Sequence, residues 1–130
     1  MIQKMFVNVP VESARRSAAF FGELGFRFDE HYSSDSVATM VVSDHNVVMF
    51  IEREQFEGFI DKPAAPANVA EAILGLECDS AATIDRIVSR ALELGARRVN
   101  EPEDEGFMYS WGFEDLDGHL WNLFWMNTAA

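Results

Sequence analysis

The sequence predicts an α+β fold of two tandem β-α-β-β-β units, and three observations carry that expectation. Glu23-Leu24-Gly25-Phe26-Arg27 has a counterpart in Glu93-Leu94-Gly95-Ala96-Arg97, each closing a helical stretch that a serine, Ser13 or Ser80, opens. Ahead of each helix lies a short apolar run of period two, which reads as a strand with one face covered. Behind each helix come three further strand-like runs broken by turn residues. At 130 residues and 48% hydrophobic composition the chain suits one domain with one core, so residues 1–130 read as a single domain.

The first strand of each unit is expected at residues 5–11 and 72–78, where Val7, Val9, Val11 and Leu74, Leu76, Cys78 alternate toward a helix. Ser13 and Ser80 are placed as N-caps, their side-chain oxygens available to orphan amides of the first turn. In the second helix Ile84, Ile87, Val88, Ala91 and Leu94 recur at three- and four-residue spacing, and in the first Ala14, Ala18, Phe21 and Leu24 do the same. Gly25 and Gly95 follow the last turns, where a positive φ stops a helix without steric cost. The remaining strands are expected at residues 27–32, 37–43 and 47–53 in unit 1, and at 97–100, 108–113 and 119–126 in unit 2. Asp44-His45-Asn46 and Asp115-Leu116-Asp117-Gly118 form the last hairpin turns. Residues 55–69, with Lys62-Pro63-Ala64-Ala65-Pro66, have neither period and read as a linker between unit 1 (1–54) and unit 2 (70–127).

Charge narrows the function classes. Twenty-two Asp and Glu against ten Lys and Arg give a net charge of -12, which repels phosphates and anionic lipids and argues against nucleic-acid binding. No run approaches the roughly 20 apolar residues a membrane span needs, so no membrane partner is expected. The lone Cys78 cannot form an internal disulfide, and Met1-Ile2-Gln3-Lys4-Met5 leads directly into a strand; a cytoplasmic location is the expectation. The acidic run Glu101-Pro102-Glu103-Asp104-Glu105 reads as a solvated loop.

Two β-α-β-β-β units, with Pro10-Val11-Glu12-Ser13-Ala14-Arg15-Arg16-Ser17-Ala18-Ala19-Phe20-Phe21 entering the first helix and Asp115-Leu116-Asp117-Gly118-His119-Leu120-Trp121-Asn122 entering the last strand, resemble the vicinal oxygen chelate superfamily. That superfamily includes glyoxalase I, bleomycin and fosfomycin resistance proteins and extradiol dioxygenases. The resemblance covers nearly the whole chain. It implies a cupped, eight-stranded mixed sheet around a ligand cavity, and commonly a homodimer. It also implies a divalent metal held by His or Gln on the first strand of each unit and by Glu near each last strand. Laid on this chain, those positions fall on Phe6, Ile73, Asn122 and either Met49 or Phe50, with Glu52 reached only by a shifted register. None is the usual ligand. The expectation is therefore a glyoxalase/bleomycin-resistance-like protein that binds a small organic molecule, with no metal or other cofactor. A metal-dependent lyase, isomerase or dioxygenase using displaced ligands (Glu52, Glu77, Asn122 or His119) is the alternative. A structural domain with a filled cavity is a further one.

Asn8 and Glu77 share strand parity with Phe6 and Ile73, so they are expected to point into the cupped face. Asn122 is expected there too, alternating with Leu120 and Phe124. A polar group aimed into an apolar cavity costs free energy unless something bonds it, which makes these three candidates for ligand contacts. Phe6, Phe50, Tyr109 and Trp111 are the candidate aromatic lining. The histidines, His31, His45 and His119, read as solvated or structural, and Cys78 as an inert thiol without a neighbouring cation.

Overall fold

In the computed structural model, which describes residues 1–127, strand β1 (Met5–Val11) runs into Ser13, whose hydroxyl accepts from the Arg16 amide at 3.1 Å and opens helix α1 (Ala14–Glu23). Ala14, Ser17, Phe20 and Phe21 are its buried stripe, and Gly25, at φ 102°, ends it. There follow β2 (Arg27–Phe28), a 3-10 turn at Glu30–Tyr32, β3 (Val37–Ser43), β4 (Asn46–Glu52) and a short helix α2 (Arg53–Glu57). The sheet order is β1-β4-β3-β2, with β1 parallel to β4 and the other pairs antiparallel. One face packs on α1, where Phe21 stacks on Phe50 at 4.9 Å and meets Phe20 and Phe26 edge-on. The other, far face carries Phe6, Asn8, Thr39, Met49 and Ile51.

The strand expected over residues 27–32 stops at Phe28. Asp29 accepts from the His31 amide through its side chain at 2.9 Å, and its carbonyl accepts from the Ser33 hydroxyl at 2.7 Å. These local bonds offer the backbone a turn in place of a ladder.

The second unit repeats the plan. Strand β5 (Ile73–Glu77) leads to Ser80, which accepts from the Thr83 amide at 3.1 Å and opens α3 (Ala81–Glu93). Gly95 closes that helix at φ 106°. Then come β6 (Arg97–Arg98), β7 (Glu103–Asp104), β8 (Met108–Glu114) and β9 (Leu120–Met126). The order is β5-β9-β8-β6, β5 lying parallel to β9, and β7 adds a short pairing to β8. The acidic run expected as a loop thus contributes a two-residue strand. Ile84, Ile87, Val88 and Ala91 of α3 are buried, as are Trp111, Phe113, Trp121 and Leu123 on the helix face of the sheet. The far face carries Ile73, Gly75 and Glu77 of β5 and Leu120, Asn122 and Phe124 of β9.

The chain divides into these two compact units at Ala64/Ala65, inside the segment expected as a linker. The architecture is α+β, with one mixed sheet per unit, four-stranded in the first and five-stranded in the second. No helix among the described residues is long and apolar enough to cross a membrane.

Candidate functional site

Strand parity decides which side chains reach each far face. In the first unit Asn8 pairs with Met49, and Met49 with Thr39, which puts these three in one row across the sheet. Phe50 and Glu52 stand on the opposite parity from Met49 and Ile51. Phe50 is fully buried against Phe21, and the Glu52 carboxylate accepts from the Ala14 amide at the start of α1 at 3.0 Å. The register therefore assigns Met49 to the far face and gives Glu52 a helix-capping partner.

Phe6 lies on that far face, 40% exposed. The Tyr32 ring meets it edge-on at 6.0 Å and the Lys4 ammonium lies 5.7 Å from its centroid. Tyr32 arrives there because the turn after β2 folds back, its carbonyl accepting from the buried Thr39 hydroxyl at 2.7 Å. Asn8 is exposed one row further along.

In the second unit Asn122 sits at the middle of the far face with Gly75 and Gly112 as its register partners on the two flanking strands. Glu77 is exposed at the end of β5, level with Phe124. The side chains of Asn8, Glu77 and Asn122 make no hydrogen bond among the described residues.

Three of the seven candidate residues take the helix side of their sheets instead of the far face expected for the site. Phe50, Tyr109 and Trp111 face the helices. The Tyr109 hydroxyl donates to Asp85 of α3; the Trp111 indole donates to the Asn100 carbonyl at 3.0 Å, with the Arg98 guanidinium 5.6 Å from its ring. The reason is periodicity: Tyr109, Trp111 and Phe113 alternate with Ser110 and Gly112, so the aromatic triplet takes the buried helix face and the small residues take the far one. Phe6 and Asn8 are brought together on one sheet, and Glu77 and Asn122 on the other.

Asp115 is the residue whose importance composition conceals. Within the Asp115-Leu116-Asp117-Gly118 turn its carboxylate accepts from the Asp117 amide at 2.9 Å, the His119 amide at 3.0 Å and the Trp121 indole at 2.9 Å. It is 6% exposed. Burial pushes its carboxyl up, against the pull of the His119 charge and the three hydrogen bonds. The available signal was an Asp bonding its own backbone two residues on, the Asx turn. At Cys78 burial, then the neighbouring Asp79, pushes the half-buried thiol up, against the pull of the Arg86 charge, a nearby cation that the sequence reading did not place there.

The family model of the Glyoxalase/Bleomycin resistance protein/Dioxygenase superfamily matches residues 5–123. The chain belongs to that superfamily. A hypothetical protein from S. aureus is similar to this superfamily member at 27% identity and a TM-score of 0.81, over 95% of this chain and 94% of its own. A glyoxalase/bleomycin resistance protein/dioxygenase family enzyme from Burkholderia phytofirmans is 17% identical with a TM-score of 0.76, covering 93% and 96%. A bleomycin resistance determinant encoded on the transposon Tn5 is 17% identical with a TM-score of 0.64, covering 95% and 97%. The last two likenesses speak to the fold alone. No protein of curated function matches this superfamily member significantly.

Proposed function

We propose that this superfamily member binds a small organic molecule on the far face of a sheet, without the superfamily's usual His/Glu metal site. One observation carries the reading: the positions where the resemblance places metal ligands hold Phe6, Met49, Ile73 and Asn122. Two hydrocarbon side chains, a thioether and a neutral amide do not fit a hard or borderline divalent ion, which takes imidazole and carboxylate donors. The displaced donors fit poorly as well. Glu52 is engaged at α1, and His119 lies beside the Asp115 turn. Among the described residues no group of three His, Cys, Asp or Glu side chains converges. What each far face offers is apolar area beside an amide, Phe6 with Asn8 on the first sheet and Ile73 and Phe124 with Asn122 on the second, a composition that suits an organic ligand.

The test is metal content of the untagged protein by mass spectrometry, together with its melting temperature against an organic-compound library and against Ni, Co, Mn, Fe and Zn. The expected result is metal far below one per chain, no stabilisation by metals, and stabilisation by an organic compound. A ligand at 100 times its Kd adds about 2.7 kcal/mol, a rise of about 10 degrees for a domain this size. Near one metal per chain, with a matching rise in melting temperature, would overturn the reading. The same reading carries a cytoplasmic homodimer: the single Cys78, without a disulfide partner, suits a reducing compartment. Light scattering on the purified protein checks the oligomeric state.

A further inference from the structure

Resting on that reading, we propose that the far face of the second sheet holds a notch over Gly75 that accepts a planar ring with an adjacent N–H and carbonyl, a cyclic amide. Two glycines flank Asn122, and they are there for different reasons. A Cβ on Gly112 would collide with the Trp121 carbonyl oxygen, so close backbone approach excludes any side chain. A Cβ on Gly75 would meet nothing nearer than Cε1 of Phe124 at 3.8 Å and the Asn122 carbonyl oxygen at 4.0 Å, both ordinary contacts. Gly75 also has no positive φ. Neither packing nor backbone conformation calls for glycine, and glycine inside a strand weakens it. What its absent side chain leaves is space on the sheet surface.

The neighbours of that space define its chemistry. Across the strand is the Asn122 carboxamide, one donor group and one acceptor side by side, unbonded within the described structure. The Phe124 ring edge forms one wall, and Ile73 and Glu77 stand two residues away on either side along β5. With about 6.6 Å between successive same-face residues, the two flanking positions are separated by about 13 Å, room for one flat ring after the side chains' own thickness. A cyclic amide laid there pairs twice with Asn122, and an aromatic face or edge is offered by Phe124. Glu77, exposed and anionic, favours a neutral or cationic ring over an anionic one.

The probe is 2-pyridone, with N-methyl-2-pyridone as the analogue that keeps the carbonyl and lacks the N–H, titrated into the 15N-labelled protein by NMR. The notch predicts saturable shifts at the Asn122 side-chain amide and the Gly75 backbone amide. It predicts about tenfold weaker binding for the N-methyl compound and for Asn122→Leu, the loss of one to two hydrogen bonds. Gly75→Val fills the notch and weakens 2-pyridone at least tenfold while leaving the melting temperature unchanged or higher. Gly75→Ala, whose methyl sits in ordinary contact, weakens binding severalfold and replaces it if the valine variant misfolds. Undiminished binding to the Gly75 variants overturns the notch. So do shifts confined to Phe6 and Asn8, which would leave the organic-ligand reading standing. Absence of any saturable shift overturns the notch as well; the broader reading falls only if the compound library also fails.

Discussion

Replacing Asp115 with alanine removes one acceptor from three donors, and the cost follows from where each donor is left. The Trp121 indole N–H is buried, with Trp121 itself 2% exposed, so losing its acceptor leaves it unsatisfied at about 1–3 kcal/mol. The Asp117 and His119 amides are half-buried at the turn and regain water in part, at about 0.5 kcal/mol each. Together these give a loss of about 3 kcal/mol. With a urea m-value of about 1.5 kcal/mol/M, the unfolding midpoint falls by about 2 M. Asp115→Asn keeps the oxygen that serves the two amides but turns an N–H toward the indole, and it sheds a buried charge; a loss of about 1 kcal/mol is expected. The wild type also differs from both variants with pH. Because burial raises the Asp115 carboxyl in the fold, that group's contribution is fully present below its unfolded pKa and is lost as pH rises through the folded value. The stability gap between the wild type and Asp115→Asn therefore narrows from acid toward neutral pH. In a Trp121→Phe background the cost of Asp115→Ala drops by about 1 kcal/mol, the coupling between the two side chains. A loss below about 1 kcal/mol for Asp115→Ala, or no coupling to Trp121, would refute the assignment of Asp115 as the acceptor that holds this hairpin.

Glu52→Ala takes the acceptor from the Ala14 amide at the start of α1, and urea melts should show a loss of about 1 kcal/mol, with Glu52→Gln recovering part of it. Gly112→Ala should fail to yield folded protein, or lose more than about 3 kcal/mol by thermal unfolding, because its methyl collides with the Trp121 carbonyl, whereas Gly75→Ala should fold normally. Tyr109 is pushed up to about 12 from 10.0 by burial and by its bond to Asp85, so in a Tyr32→Phe variant the phenolate absorbance should rise near pH 12, and adding Asp85→Asn should bring it back toward 10.0. Its contribution to stability is present below pH 10 and is lost as pH rises toward 12.

The parts of the fold that were legible are those where one residue type has one use. Ser13 and Ser80 cap helices, and Gly25 and Gly95 adopt positive φ, as their positions at the ends of two apolar periods require. β3 spans Val37–Ser43 as expected, and the last turn is the hairpin that Asp117-Gly118 suggests. The stretch after Phe28 was less legible because Asp29 and Ser33 bond their own neighbourhood, and such local bonds leave no trace in hydrophobic period. The acidic residues of β7 pair with β8 through backbone alone, which composition cannot reveal.

The site divides in the same way. Asn8, Glu77 and Asn122 could be placed because each sits within an alternation whose buried side is fixed by a helix, and all three stand on the far faces. Phe50, Tyr109 and Trp111 could not be separated from Phe6 by residue type, since an aromatic side chain suits a core and a ligand site equally. Only register distinguishes them. Once Asn8 is paired with Met49, Phe50 must turn toward α1 and Glu52 with it, so a single step of register removes one aromatic and one carboxylate from the far face. On β8 the same rule works in reverse. Placing Trp111 and Phe113 under α3 leaves Ser110 and Gly112 on the far face, and the scarcity of side chains there, rather than any polar cluster, sets the surroundings of Asn122.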